Sequence, residues 1–574
     1  MARANEQIEA LLQEYSDLLA ISGGDPFRVR TYEKSARSVG GYHADIATLD
    51  RAGLLKIPNV GGSTADKIAE ALETGTFSAL EHLREEVPAG VREMILIPTL
   101  GPKKAMVLYR DLRISSVEEL ADAIHEGRLR GLKGFGEKTE EKILHGIALM
   151  QQSGGRVQLG VALDLAQEII RELSGVRGCT KCANAGSLRR MAETIGDVDI
   201  LAASKKAGPV MEAFASLSHV AEVIARGDTK SSVRTTKGLQ VDLRVVPPDV
   251  WGAALQYFTG SKAHNIRTRE IAVRKKLKLS EYGLFEADTE KLIVSETEEE
   301  VYERLGLPWI PPLLREDRGE IEAAQRGELP NLVGLGDIRG DLHTHTDLTD
   351  GLATLEEMLA AAAARKYEYY AVTDHAPNLY MQRMTDEKML AQRERVRKLQ
   401  AAYPKMRLLH GSELNIDADG DVDWGPEFLS GFDICVASVH TLFNQSKDEM
   451  TRRIVRACEN PFVNIIGHPT GRQIGARPPV DVDLEEVFKA AARTGTALEI
   501  NSYPDRLDLK DEHIMWARRH GVKFAVATDS HSTIHLDFMK YGVAQAGRGW
   551  LEKGDVINTW PLAKLRKFLE KGRG

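Results

Sequence analysis

Cysteine is scarce in this sequence, and long apolar runs are missing from it. Only four cysteines occur among 574 residues, Cys179, Cys182, Cys435 and Cys458. This number is too small for a disulfide framework in a chain of this length, so we expect a protein of the reducing cytoplasm. No run approaches eighteen apolar residues, and the N-terminal segment lacks the basic-then-apolar pattern of a signal peptide. We therefore expect no transmembrane helix and no membrane partner.

The composition describes a soluble globular protein of several domains. The sequence is 43% hydrophobic and 28% charged, with a formal net charge of −8. A chain of 574 residues is too long for one hydrophobic core. The overall acidity does not exclude nucleic acid as a partner, because such binding depends on local basic surfaces rather than on the total charge.

Three kinds of pattern follow one another along the chain. The first 150 residues alternate short helical patterns with glycine-bearing turns, and strand-like runs appear between helices from about 160 to 310. Residues 306–340 are rich in proline, glycine and charge, which predicts a domain boundary. Beyond it, short apolar strands alternate with helical stretches. That pattern indicates a parallel sheet and suits a barrel of the TIM type.

The segment GDLHTHTDLTDG at 340–351 places two histidines two residues apart. On a strand such side chains point to one face, so His343 and His345 can reach one metal ion. Two nearby histidines alone are weak support for a metal site. Five later predicted strands, however, end on residues of the types that bind zinc, manganese or iron. The candidate ligands then number nine: His343, His345, Asp350, His375, Glu413, His440, His468, Asp529 and His531.

Nine ligands are too many for one tetrahedral ion and fit a cluster of two or three ions. Such a cluster lowers the pKa of bound water and stabilises a leaving oxygen, which favours phosphoester hydrolysis. The alternative is a set of polar residues that are hydrogen-bonded independently of one another. That alternative requires a barrel to gather nine such residues at one mouth without a metal, so we favour the cluster.

A second candidate site lies in the segment AGSLRRMAETIGDVDIL. Asp197 and Asp199 stand two residues apart, so on a strand both carboxylates face one way and need a cation between them. Carboxylate oxygens suit magnesium, and Asp242 in LQVDLRVV can complete a two-metal site for in-line phosphoryl transfer. The alternative is a pair of exposed acids on an edge strand. Three preceding residues can hold a phosphate by close backbone approach and positive charge: Gly186, Ser187 and Arg190.

The C-terminal segments resemble a known family. GDLHTHTDLTDG, TDH, GSELN, SVH, GHP and ATDSH resemble a PHP (polymerase and histidinol phosphatase) domain over roughly residues 336–570. The resemblance implies a distorted (β/α) barrel that binds up to three ions, Mn²⁺ or Zn²⁺. It also implies three ligand sets, in which Glu413 bridges the first two: His343, His345, Glu413 and Asp529; Glu413, His440 and His468; and Asp350, His375 and His531.

The earlier segments, GS, DVD and VDL in that order, resemble the palm of family X DNA polymerases. This resemblance covers about residues 1–320 and implies that Asp197, Asp199 and Asp242 are catalytic and bind Mg²⁺. It continues through QYFTGSKAHNIRTR, where Lys262 replaces the acid usual in vertebrate members. In this stretch the resemblance implies nucleotide contacts from Tyr257, Phe258, Gly260, Asn265 and Arg269.

Three segments at 57–69, 97–108 and 132–144 resemble helix–hairpin–helix elements. A tight turn before a helix N-terminus presents backbone N–H groups to a phosphate, whatever the base sequence. The resemblance therefore implies DNA contacts at Gly61, Gly101, Gly134 and Gly136. Lys67 aligns with the Schiff-base lysine of members with lyase activity. Two neighbouring phosphate-binding lysines of the family, however, appear here as Arg28 and Ser63.

These patterns predict a multidomain chain. We predict a helical, lyase-like DNA-binding domain at 1–85, a fingers-like helix–hairpin–helix region at 86–155, an α+β nucleotidyltransferase palm at 156–255, a thumb at 256–320, a linker at 321–336 and a PHP barrel at 337–574. We expect a monomer that binds gapped or nicked DNA and dNTPs.

The expected function is gap-filling DNA synthesis in repair, joined to a metal-dependent hydrolase of DNA ends. The hydrolase would act as a 3′→5′ exonuclease, a 3′-phosphatase or an abasic-site endonuclease. One alternative is a phosphatase of a small phosphorylated metabolite, with a non-catalytic N-terminal binding region. Another is a DNA-end adaptor without catalytic activity.

Overall fold

The structure is a computed structural model. It describes residues 2–571 except 41, 43, 96, 98, 99, 131, 133, 137, 138, 145, 148–154 and 380–383. None of the described helices is both long and apolar enough to cross a membrane.

The N-terminal part of the chain is helical. One hydrophobic core extends from Ile8 to Ile147 and passes the predicted domain boundary at residue 85, so the helices on either side pack together. The second and third predicted hairpin segments include residues outside the described set. The helices here are Ala2–Ile21, Pro26–Gly40, Arg51–Leu54, Gly62–Thr74, Ser78–Glu86, Ala89–Met94, Pro102–Leu112 and Val117–His125.

A five-stranded sheet follows, with helices on both faces. Along the sheet the strands run in the order β2 (Cys179–Asn184), β4 (Asp197–Ser204), β7 (Gln240–Val246), β6 (Lys230–Thr235) and β5 (Val220–Arg226). The neighbouring strands β4 and β7 are parallel. Alternate residues of β4 enter different cores, because successive side chains point to opposite faces of a sheet. Two further short strands, β1 (Val157–Gln158) and β3 (Thr194–Ile195), form a separate antiparallel pair. The helices are Leu159–Ser174, Gly186–Arg189, Ala207–Ala215 and Trp251–Thr259.

A small helical unit with an antiparallel sheet links this part to the barrel. Its helices are Lys262–Arg274, Glu298–Leu305 and Glu320–Arg326, and its strands are β8 (Leu277–Ser280), β9 (Gly283–Glu286) and β10 (Leu292–Val294). Buried Arg315 donates from Nη1 to Glu298 Oε1 at 2.7 Å, and Arg189 donates to the same carboxylate. These bonds fasten the unit to the helix that follows β2 in the five-stranded sheet.

The C-terminal part is a barrel of seven parallel strands in sequential order. The strands are β11 (Gly340–Asp341), β12 (Tyr369–Val372), β13 (Arg407–Asn415), β14 (Ile434–Ser438), β15 (Ile465–Ile466), β16 (Ala497–Asn501) and β17 (Phe524–Ala527). A parallel bridge between Thr344 and Ser530 joins the segments after the first and last strands, so the sheet nearly closes. The predicted barrel is therefore confirmed, and all its strands end at one mouth.

Helices surround this barrel, as alternating strand and helix patterns predict. They are Leu355–Ala364, Asp386–Leu399, Pro426–Leu429, Lys447–Glu459, Leu484–Thr494, Asp511–Arg519, Met539–Arg548 and Leu562–Leu569. The loop after β16 also reaches the N-terminal half. Its residue Leu507 is fully buried in the same hydrophobic core as the five-stranded sheet.

Candidate active sites

The nine predicted ligands of the C-terminal site lie together at the barrel mouth. Each belongs to the carboxyl end of a strand or to the loop that follows it, and parallel strands bring these ends to one place. The donor atoms of eight of them form three groups, and within each group these atoms lie within 4.8 Å of one another. The groups are His345, Asp350, His375 and His531; His343, His345 and Asp529; and His375, Glu413 and His440. The ninth residue, His468, lies beside Glu413.

Glu413 is the centre of this site. Its Oε1 lies 3.1 Å from Nε2 of His440 and 3.0 Å from Nε2 of His468, and its Oε2 lies 2.9 Å from Nδ1 of His375. A carboxylate that faces histidines with both oxygens has the arrangement of a bridging ligand. His375, which the resemblance assigns to the ion held by Asp350 and His531, thus lies next to Glu413 as well.

The site's charge balance also fits bound cations. Although burial acts to raise it, the pKa of Glu413 lies well below its usual range because His440, His343 and His375 surround it. Nδ1 of the buried His345 lies 3.9 Å from Oδ1 of Asp350 and has no hydrogen-bond partner among the described residues. Buried polar atoms are normally paired, so an unpaired imidazole nitrogen beside a carboxylate fits a divalent metal.

Neighbouring side chains hold the histidines in place. Nδ1 of His343 is 2.7 Å from Glu499 Oε1, and Nδ1 of His440 is 2.6 Å from Asn415 Oδ1. Such contacts orient the ring and leave Nε2 directed at the cluster. Glu499 also accepts the backbone N–H of His468 at 2.6 Å. Our sequence prediction missed Glu499; the available signal was an acid two residues before Asn501 in the short apolar segment TALEINS.

The second candidate site lies on β4 and β7. Asp199 faces Asp242 across the parallel pair, and Asp197 begins β4. Burial raises the pKa of Asp199 to about 7, and the charges of Asp197 and Asp242 act in the same direction. The three carboxylates do not reach the 4.8 Å spacing found among the barrel ligands. Lys230 lies 3.2 Å from Asp242 and supplies one compensating charge.

A glycine is required beside these acids. Gly186 has φ +56°, and a Cβ atom there would lie 2.1 Å from Oδ2 of Asp199. Any larger residue would displace the carboxylate. Ser187 follows on the same short helix, Gly186–Arg189.

The predicted nucleotide contacts lie near this site and also contact one another. Arg190 donates from Nη1 to the backbone oxygen of Thr259 at 2.6 Å, and its Nε lies 3.0 Å from Glu316. Asn265 donates to the backbone oxygen of Tyr257 at 2.7 Å, and Arg269 donates to the backbone oxygen of Asn265. Tyr257 and Phe258 pack edge to face, while Gly260, at φ +66°, lies beside Arg190.

The four glycines assigned to DNA contact leave their backbone accessible. Gly61 and Gly101 are the N-caps of Gly62–Thr74 and Pro102–Leu112, and neither helix has a side-chain cap. At both, and at Gly134 and Gly136, a Cβ would meet nothing within 4 Å. Lys67 lies one turn into the first of these helices, donates to Ser63 Oγ at 3.0 Å and lies 5.5 Å from the ring centre of Tyr32.

Comparison with known proteins identifies the family. Family models match a Helix-hairpin-helix domain at residues 3–77, a SAM-like Helix-hairpin-helix tandem at 91–148, a DNA polymerase beta thumb at 254–316 and a PHP domain at 341–503. Over 569 residues, the chain is 36% identical to the DNA polymerase/3'-5' exonuclease PolX of Bacillus subtilis, with 99% of each chain covered. The chain belongs to the family X DNA polymerases with a C-terminal PHP domain.

Two further relatives each match part of this family X member. DNA polymerase lambda of Rattus norvegicus is 24% identical over 342 residues, 54% of this chain and 55% of the rat protein. A probable phosphatase of Thermoanaerobacter sp. (strain X514) is 28% identical over 243 residues, 40% of this chain and 94% of its own length. Both polymerase and PHP domains depend on metal ions, in keeping with the two acidic sites.

Because of Asp199, we expect the apparent Mg²⁺ affinity in nucleotide addition to depend on pH. A metal ion binds the ionised carboxylate, and with a pKa of about 7 this form is lost as the pH falls. The apparent Mg²⁺ affinity in nucleotide addition is therefore expected to weaken about tenfold per pH unit below 7 and to level off above about 8. Magnesium titrations of primer extension between pH 6 and 9 measure this, and a flat dependence would contradict it.

Proposed function

We propose that this chain fills short gaps in DNA with its palm and processes DNA ends with its PHP barrel. The observation that carries the proposal is the 36% identity to PolX over 99% of both chains. The name of that relative joins a DNA polymerase and a 3'-5' exonuclease in one protein, and we assign both activities to this chain. The palm carboxylates would form the site for DNA synthesis, and the ligands at the barrel mouth would form a separate site for hydrolysis.

In the palm, the 3′-hydroxyl of a primer would attack the α-phosphorus of a dNTP, forming a phosphodiester and releasing pyrophosphate. Mg²⁺ bound by Asp197, Asp199 and Asp242 would supply charge neutralisation and a lowered pKa of the attacking hydroxyl. Gly186 leaves room for the Asp199 carboxylate, and the backbone after it can approach the triphosphate. Arg190, which contacts Glu316 in this structure, would bind a phosphate oxygen of the nucleotide.

In the barrel, the nine ligands would hold up to three ions, which we propose to be Mn²⁺ or Zn²⁺. When bound, these ions would supply an activated water and stabilise the leaving 3′-oxygen. Glu499 and Asn415 keep the rings of His343 and His440 directed at the cluster. We propose 3′→5′ excision as the main reaction, with 3′-phosphate removal and abasic-site cleavage as other reactions of the same chemistry.

The helical N-terminal part would bind the DNA backbone. The family matches at residues 3–77 and 91–148 imply DNA binding, and the uncapped helix starts at Gly61 and Gly101 offer backbone N–H groups for phosphates. The role of Lys67 in a lyase reaction stays a prediction.

A labelled one-nucleotide-gapped duplex tests the proposal. With dNTPs and Mg²⁺ we expect the primer to grow by one nucleotide, and with Mn²⁺ alone we expect it to shorten from its 3′ end. Failure to extend would exclude the palm assignment, and failure to shorten or dephosphorylate the end would exclude the barrel assignment.

A phosphatase of small metabolites is the weaker alternative. The probable phosphatase of Thermoanaerobacter matches 40% of this chain, whereas the match to PolX covers 99% of it. Hydrolysis of phosphorylated metabolites but not of DNA by the same protein would favour that alternative.

A further inference from the structure

One guanidinium at the barrel mouth has no function in the account above. Arg506 lies in the loop after β16, and its Nε is 3.9 Å from Oδ2 of Asp529, one of the nine ligands. Its Nη1 is buried and has no hydrogen-bond partner among the described residues. Leaving a buried donor unpaired costs about 1–3 kcal/mol, and more for a charged group. An unpaired guanidinium nitrogen beside a metal site therefore points to a ligand from outside the chain.

The surroundings of Arg506 indicate what kind of ligand this is. The negative groups that act on it are Asp529, Asp505, Glu413 and Asp508, and two of these belong to the metal site. Once divalent ions neutralise Asp529 and Glu413, the planar guanidinium retains donors for a further anion. A phosphate suits it, because its oxygens match the fork of an arginine.

We infer that Arg506 binds the phosphate of the DNA end in the PHP site, and that packing against the palm holds it in position. The inference rests on the proposed hydrolysis of DNA ends. It adds a substrate-binding residue to that site and makes the site dependent on the polymerase half of the chain.

The contacts around the next residue explain this dependence. Leu507 is fully buried in the palm core, so the loop after β16 is anchored outside the barrel. Arg472 donates from Nε to the backbone oxygen of Arg506 at 2.8 Å, and its Nη2 donates to Glu193 of the palm at 2.8 Å. The palm thus holds the backbone from which the Arg506 side chain extends to Asp529.

The experiment compares the full-length wild-type protein, Arg506→Ala and Arg506→Lys after loading with Mn²⁺. Bound metal is counted by plasma mass spectrometry, and binding of dAMP, the type of product released by 3′→5′ excision, is measured by calorimetry. We expect unchanged metal content in both variants and at least a tenfold weaker dAMP affinity in Arg506→Ala, on the order expected for a lost charged hydrogen bond. Added guanidinium ion, at concentrations that do not unfold the protein, should partly restore excision by Arg506→Ala only.

Two further variants complete the test. Arg395→Ala, which removes an exposed arginine paired with Glu356 on the barrel surface, should leave dAMP affinity unchanged. Glu193→Gln, which alters the palm side of the anchor, should weaken dAMP binding by less than Arg506→Ala and leave the metal content intact. All titrations are repeated in proteins that also carry Asp199→Asn, so that dAMP binding in the palm does not contribute.

The outcomes separate the inference from the proposed function. Loss of manganese from Arg506→Ala would overturn the inference, because the arginine would then support the ligands instead of the substrate. Unchanged dAMP affinity in that variant would overturn it as well. A wild-type protein that hydrolyses no DNA end would instead contradict the proposed function.

Discussion

Asp199→Asn is expected to lower the rate of nucleotide addition by at least about 10³-fold and to leave 3′-end hydrolysis unchanged. Asp199 is partly buried and faces Asp242 across the parallel strands. An amide at this position keeps the shape of the side chain but removes the charge that a Mg²⁺ ion requires. Single-turnover extension of a gapped duplex measures the loss, and excision in Mn²⁺ by the same preparation measures what is retained.

The same substitution should stabilise the metal-free protein at neutral pH. The pKa of Asp199 is about 7 in the folded chain, above its ordinary value of 3.8, so ionisation in the folded state costs free energy. This cost is absent below pH 4 and grows as the pH rises towards 7. Asp199→Asn removes it, and the free energy of unfolding at pH 8 without metal should increase by up to about 4 kcal/mol.

A matched control separates this effect from a general loss of charge. Asp228 lies in the exposed turn between β5 and β6 and is not one of the three carboxylates. Asp228→Asn should therefore change neither extension nor stability. Extension by Asp199→Asn at the wild-type rate would refute the palm assignment, and a fall in its metal-free stability at pH 8 would refute the charge argument.

The barrel site was predictable because its residues follow a local rule. Each ligand lies at or just after the carboxyl end of a short apolar strand, and a parallel barrel brings all such ends to one mouth. Neither the number of ions nor the metal follows from that rule. Which ligands share an ion does not follow from the sequence either, because His375 lies beside both Glu413 and Asp350.

Contacts between distant parts of the chain were not predictable in this way. Arg190 pairs with Glu316, 126 residues later, and Arg472 pairs with Glu193, 279 residues earlier. No periodicity or motif spacing records such pairs, because they depend on how the sheet, the thumb-like unit and the barrel pack together. The helical character of the N-terminal region, in contrast, follows from local patterns and from the resemblance.

Glu413→Gln is expected to lower DNA-end hydrolysis by at least about 100-fold while gap filling continues at the wild-type rate. Its two oxygens face His440 and His468 on one side and His375 on the other, so one carboxylate holds several metal positions together. An amide of the same size would offer one neutral oxygen and one N–H donor. It cannot bridge two cations, and the N–H would be directed at an ion or at an imidazole nitrogen.

The metal content of Glu413→Gln shows whether Glu413 acts as a bridging metal ligand or as an ordinary buried acid. We expect the variant to bind fewer Mn²⁺ ions than the wild type, because a bridging ligand contributes to more than one position. The matched control is Glu427→Gln, an exposed acid on the barrel surface that should retain full metal content and hydrolysis. If Glu413→Gln kept all its ions and its excision rate, Glu413 would be an ordinary buried acid and the cluster would not be bridged through it. Loss of gap filling together with excision would instead show that this carboxylate stabilises the whole chain, since the palm carboxylates belong to a separate sheet.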